Sequence, residues 1–193
     1  PQAAKQLKKA LSIRQKKLGK QSLIVATTAA ALANAYRSQR QFTAAESLYK
    51  RALAIQEQKL GEDHTTVGQT LFDLGGLYGL QGRLDPAYKA YLRALGIQKK
   101  AVGADHLQIA HVQHNLGELA RARKSLDQAE THYLEAIRVY ELQLGKDHLL
   151  VARSLVGYAT VLKASGRAEQ AGKIIARAAA IQAKSKAKKP APK

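Results

Sequence analysis

Leu60-Gly61-Glu62-Asp63-His64 is the stretch whose reading decides the fold, because its cadence returns along the whole chain. Gly19, Gly61, Gly103 and Gly145 stand 42 residues apart, preceded by Leu18, Leu60, Val102 and Leu144. Glycine is about 7% of an average protein, so four in one column is not a compositional accident. Other columns keep the register: Leu32, Leu74, Leu116 and Tyr158; Ala33, Gly75, Gly117 and Ala159; Tyr49, Tyr91, Tyr133 and Ile175; Ala52, Ala94, Ala136 and Ala178. A fixed period of this length marks stacked supersecondary units, each burying its apolar face against the next.

Apolar spacing inside each unit predicts a pair of helices. The first helices are expected over 22–39, 64–81, 106–123 and 148–165, the second over 43–58, 85–100, 127–142 and 168–184. Thr43-x-x-Glu46 and Asp127-x-x-Glu130 have the form of capping boxes, and Asp63, Asp105 and Asp147 are placed to cap the first helices. Gly82 and Gly166 sit where a helix ends in a left-handed residue, while Arg40 and Lys124 at the matching turns suggest that those two differ. Small columns let helix axes approach and large ones fill the remaining space, a packing code without the heptad seam of a coiled coil. Residues 1–17 read as one helix in register with the second helix of the following unit, Leu7 matching Tyr49 and Leu11 matching Leu53. The organisation is therefore a repeat array over 1–184, with a leading half-repeat at 1–18 and full repeats at about 19–60, 61–102, 103–144 and 145–184. The half-repeat would leave an apolar edge to be covered by upstream sequence or another protein, and a start at Pro1 with no Met in the chain reads as a processed or truncated end. Residues 185–193, rich in Lys with Pro, are expected to be a disordered basic tail.

Charge is uneven. Of the net +18, residues 1–45 contribute nine cations and no acid, and residues 163–193 nine cations against one acid, while the body between is nearly neutral. A continuous nucleic-acid groove would spread its cations along the repeats, so nucleic acid is not the expected partner, and the basic ends suit an anionic partner or plain solvation. There is no Cys, hence no disulfide framework and no thiol chemistry. No apolar run is long enough for a transmembrane helix. Absent cysteine fits cytosol and periplasm alike; a soluble protein, cytoplasmic rather than periplasmic, is the expectation.

Leu32-Ala33-x-x-Tyr36 with Ala45, Tyr49 and Ala52, and Leu74-Gly75-x-x-Tyr78 with Ala87, Tyr91 and Ala94, carry a family resemblance. They are similar to the tetratricopeptide repeat, and the 42-residue period resembles the longer variant found in kinesin light chains and many bacterial proteins. Ala120 and Leu162 depart from the pattern where Tyr36 and Tyr78 stand. The resemblance implies an all-α fold, a right-handed superhelical solenoid of antiparallel helix pairs, whose first helices line a concave ligand-binding side. Carried over position by position, it implies a partner-binding groove of Asn34, Arg37, Gln69, Phe72, Asp73, His111, His114, Asn115, Glu118, Arg121, Arg153, Thr160 and Lys163. Phe72 is either an anchor for the partner or a residue packed between units. The carboxylate clamp of some family members is matched here only by Asn115 and Arg153, with Phe72, Gly76 and Gly157 in its other places.

Chemistry is weak elsewhere. His64, His106 and His148 form a repeated column, which points to a structural role at helix starts. His111-x-x-His114 has metal-ligand spacing but no evident third ligand, so these histidines are expected to face solvent or a partner and no metal or other cofactor is expected. With no phosphate loop, nucleophile motif or paired carboxylates, no enzymatic activity is expected. The expected function is a non-catalytic scaffold that holds a peptide or protein segment in its groove. The alternative is an assembly subunit docking through its basic ends.

Overall fold

The computed structural model describes residues 2–187. The described residues form nine helices and no strand: α1 (Gln2–Leu18), α2 (Leu23–Ser38), α3 (Phe42–Leu60), α4 (Thr65–Leu80), α5 (Leu84–Val102), α6 (Leu107–Ala122), α7 (Leu126–Leu144), α8 (Leu149–Ala164) and α9 (Ala168–Ala187). The chain divides into two compact units, residues 1–97 and 98–193. Of the residues expected in the basic tail, Ser185 to Ala187 instead continue α9; residues 188–193 lie outside the described residues.

In the first unit α1 packs on α2 and α2 on α3 around Ala4, Leu11, Val25, Ala29, Leu32, Ala52 and Ile55. A second cluster joins Val67 and Leu71 of α4 to Ala94 and Ile97 of α5. The second unit is built the same way. Ala110, Ala136, Tyr140, Val151, Leu155 and Ile181 share one cluster of α6 to α9, and Ala159, Leu162 and Ala171 another. The small columns are fully buried at Ala45, Ala52, Ala87, Ala94, Ala129 and Ala136, where they admit the close approach of helices. Ile175 breaks its column: it is 38% exposed, whereas Tyr49 and Tyr133 above it are wholly enclosed.

The joints differ in chemistry from what motif spacing suggests. The first-helix caps are Ser22, His64, His106 and His148, not the preceding aspartates; each histidine accepts the N–H two residues on at its Nδ1, at 3.1–3.2 Å. The repeated histidine column is thus structural. Asp105 and Asp147 instead take charge partners from the following second helices, Arg138 and Lys184. Within each pair, Arg40, Gly82, Lys124 and Gly166 all take a positive φ of 60–77°. The next N–H reaches five residues back in every case, as Gln41 to the Tyr36 carbonyl (2.9 Å) and Ser125 to that of Ala120 (2.9 Å), the Schellman arrangement. All four turns are therefore alike, and two of them hold a non-glycine residue in a strained conformation. The same tight turn removes the two capping boxes. The residue after the left-handed one, Gln41 or Ser125, is already the cap of the second helix, so Thr43 and Asp127 lie inside it. Glu46 and Glu130 then turn outward to Arg83 and Arg167.

Candidate partner-binding faces

In the first unit the first-helix face rests on a buried phenol. Tyr49 donates its hydroxyl to Asn34 Oδ1 (2.7 Å), and burial pushes that phenol well above its ordinary pKa. Asn34 Nδ2 donates in turn to Asp73 Oδ2 (3.4 Å), as does Gln69 Nε2 (3.5 Å). Arg37 donates to the Asp73 carbonyl (3.2 Å) and lies 3.8 Å from its carboxylate. Its guanidinium has room because of Gly76, where a Cβ would stand 3.0 Å from Arg37 Nη1. Asn34, Arg37, Gln69 and Asp73 are thus brought together as one mutually satisfied network. Phe72 is half-buried against the Leu71, Ala94 and Ile97 cluster, its ring centroid 5.2 Å from that of Tyr91.

In the second unit the same column gives a charged version. Tyr133 donates to Glu118 Oε1 at 2.5 Å and Arg121 to Oε2 at 2.7 Å. Burial pushes the Glu118 carboxyl up, but these two hydrogen bonds and the guanidinium charge outweigh it and hold the group below its ordinary value. The Tyr133 ring runs between two glycines. A Cβ at Gly117 would be 3.0 Å from the ring, and one at Gly157 only 2.5 Å. Gly157, in a clamp position that lacks a donor, is the gap through which Tyr133 passes under α8.

The two histidines separate. His111 is half-buried, with Nδ1 2.8 Å from the Tyr140 hydroxyl. His114 does not face solvent: it is 3% exposed, its Nδ1 2.9 Å from Ser154 Oγ, its ring edge-on to Tyr133. Burial first, and the Arg153 charge second, push its pKa down to about 4. Because the rings turn to different helices, they do not converge on one ion, and the described residues contain no cluster of three or more metal-ligating side chains.

What remains open is a cavity of about 360 Å³ between α6 and α8, walled by Glu118, Arg121, Arg153 and Thr160 of the expected set. Asn115 is half-buried, and Lys163 is exposed at the end of α8. Thr160 turns its hydroxyl back to the Val156 carbonyl (2.9 Å), whereas Arg153 is exposed and makes no hydrogen bond or ion pair among the described residues. Three lining residues escaped the sequence reading: Leu149, Val156 and Gln182. Val156 was within reach, since it stands 42 residues after His114 in the column that also holds Phe72. Gln182 belongs to a second helix, which a first-helix carry-over does not sample.

Helix pairs repeated at 42 residues, joined by Schellman turns and exposing a polar first-helix face, define a helical-repeat protein with an all-α solenoid fold. The tetratricopeptide repeat model matches residues 1–58, 31–100, 66–142 and 108–184, and the chain belongs to the tetratricopeptide repeat family. Its fold is similar to that of BtubC (BKLC) from P. vanneervenii, at 23% identity and TM-score 0.86, over 97% of this chain and 74% of that one. It is similar also to a Podosopora anserina protein described as a kinesin light chain with nearly identical TPR-like repeats, at 23% identity and TM-score 0.82, over 95% and 87% of the two chains. MamA matches at 16% identity and TM-score 0.70, over 94% and 88%. No curated protein matches this chain in sequence. No described helix is long and apolar enough to cross a membrane.

Proposed function

We propose that the chain is a non-catalytic protein–protein interaction scaffold that takes a peptide segment of its partner against its first-helix faces. The observation that carries this reading is the cavity of the second unit. Arg153 stands there as an exposed guanidinium without an acceptor among the described residues, beside Leu149 (49% exposed) and Val156 (45% exposed). Arginine offers a rigid fork for a carboxylate or carbonyl, and the two aliphatic side chains offer apolar surface beside it. Most other candidate residues are satisfied within the chain, so they shape the face more than they bind. The test selects peptides from a random display library against the full chain and measures their affinities for Arg153→Ala, Asn115→Ala and Phe72→Ala. A loss of about tenfold at Arg153→Ala, roughly 1.4 kcal/mol, is expected. Peptides that bind all three variants as tightly as the parent protein would remove the first-helix face from consideration.

A further inference from the structure

The four joints provide an internal comparison. At the second joint Arg93 of α5 holds two carboxylates, Glu57 at 2.5 Å from the end of the preceding second helix and Glu62 at 3.4 Å from the joint itself. At the third, Arg138 holds Asp105 (2.6 Å); at the fourth, Arg177 holds Glu141 and Lys184 holds Asp147. Each of these joints supplies its own anions.

The first joint does not. Arg51 occupies the place of Arg93, one repeat earlier, but the positions of Glu57 and Glu62 are Gln15 and Lys20. Arg51 therefore spends its donors on neutral oxygens: the Lys20 carbonyl at 3.1 Å, and the Gln15 side-chain oxygen at 2.6 Å in the amide orientation its neighbours require. No Asp or Glu occurs anywhere in residues 1–45. Lys16, Lys17, Lys20 and Lys59 have no carboxylate partner among the described residues. Lys20 and Lys59 line an open cavity of about 730 Å³ together with the apolar side chains of Leu18, Leu23 and Ile24. The joint has its cations and an apolar lining, and lacks the carboxylates that complete its sisters.

We propose that this first joint docks an acidic protein segment, whose carboxylates pair with Lys20 and Lys59 and displace the neutral Gln15 oxygen from Arg51, as Glu57 and Glu62 serve Arg93 one repeat on. The sister joint sets the chemistry: the group that fits beside this arginine is a carboxylate carried on polypeptide. A nucleic-acid strand would be expected to find aromatic stacking partners, and the cavity lining has none. The site is independent of the first-helix face of the second unit, so either can fail alone.

The experiment measures fluorescence anisotropy of a labelled oligoglutamate peptide on the full chain. A single-stranded oligonucleotide of equal charge and phosphatidylserine vesicles serve as competing probes. Gln15→Glu with Lys20→Glu transplants the second joint's own carboxylates and fills the site from within. It is expected to lower peptide affinity by about tenfold without lowering the melting temperature, because exposed charge pairs contribute a few-fold each. Lys89→Glu with Gln128→Glu removes the same net charge at exposed positions on other helices and is expected to leave affinity within about twofold, since charge that makes no contact with the peptide is screened. Lys20→Ala with Lys59→Ala weakens binding by deletion instead of filling. Equal losses in the transplant and the control would reduce the effect to net charge and overturn the proposal. So would tighter binding of the oligonucleotide or the vesicles than of the peptide, or no saturable peptide binding at low salt.

Discussion

Gly157→Ala adds one methyl group to the chain, and the structure predicts a large loss of stability from it. An alanine in the middle of a helix is ordinarily favoured over glycine by about 1 kcal/mol. At position 157 the new Cβ would meet Tyr133 Cε1 and Cζ at 2.5 Å and its hydroxyl oxygen at 2.8 Å. No pair of carbon atoms tolerates that separation, so α8 or the ring must move. The ring cannot swing free, because Tyr133 is wholly buried, lies 3.0 Å from the corresponding point of Gly117 and is tied to Glu118 at 2.5 Å. Overpacking of this kind costs about 1–3 kcal/mol, and stretching a hydrogen bond to a charged acceptor forfeits part of a further 1.5–3 kcal/mol. Less the propensity gain, the net is a destabilisation of about 1–4 kcal/mol.

The control is Gly172→Ala. Gly172 is exposed inside α9 and a Cβ there meets nothing within 4 Å, so the same substitution should stabilise by about 0.5–1 kcal/mol. Equilibrium urea unfolding followed by circular dichroism measures both, with midpoints compared on the full chain. Combining Gly157→Ala with Tyr133→Leu should recover part of the loss, giving a coupling between the two sites of 1 kcal/mol or more, in the range of about 0.5–3 kcal/mol seen for residues in contact. Should Gly157→Ala unfold at the same urea concentration as Gly172→Ala, the threading of Tyr133 between two glycines is wrong.

Arg40→Gly and Lys124→Gly should each stabilise the chain by about 0.5–1 kcal/mol, since both residues sit at φ 60° where a Cβ is penalised; thermal melts with a rise of about 2–4 °C per kcal/mol would show it. Replacing the capping His64, His106 or His148 with Ala should cost about 1 kcal/mol each in the same melts, while Asp at these positions should hold the cap. Acid should destabilise the second unit through His114. Its folded pKa of about 4 lies below the ordinary 6.5, so the unfolded chain binds the extra proton first. Stability is then full above pH 6.5 and falls as pH drops toward 4, by an amount on the order of 3 kcal/mol. Urea midpoints across that window should flatten in His114→Asn; an unchanged slope would assign the effect to other groups.

The period, the helix pairs and the small-residue columns were legible because repetition turns each packing requirement into a visible column. Turns and caps were harder. Arg40 and Lys124 look like departures from glycine, yet the geometry of two helices joined by a Schellman turn imposes the left-handed backbone regardless of the residue. Thr43-x-x-Glu46 has the spacing of a capping box, but that turn sets the helix start at Phe42, before the threonine. Depth is not a property of a column either. Phe72, His114 and Val156 share one position in successive repeats, and they are half-buried, buried and 45% exposed. His114 is drawn inside by Ser154 and Tyr133, which no periodicity announces.

The tyrosine column carries that distinction into function. Where the second helix supplies a buried phenol, as at Tyr49 and Tyr133, the first helix answers with an acceptor, Asn34 or Glu118. Where the pair has Gly76 instead, the Arg37 guanidinium fills the space beside Tyr91. Where the phenol becomes the exposed Ile175, the first-helix position becomes Thr160, whose hydroxyl returns to its own helix. Polar residues on the first-helix face therefore follow the needs of the floor beneath them, and polarity at those positions is poor evidence for a ligand. A side chain on that face that no internal group requires is better evidence. By that criterion Arg153 in the second unit ranks above Asn34, Asp73 and Glu118 as a place to find a partner, and in the first unit the same reasoning points off the face, to the first joint, where Lys20 and Lys59 have no carboxylate among the described residues.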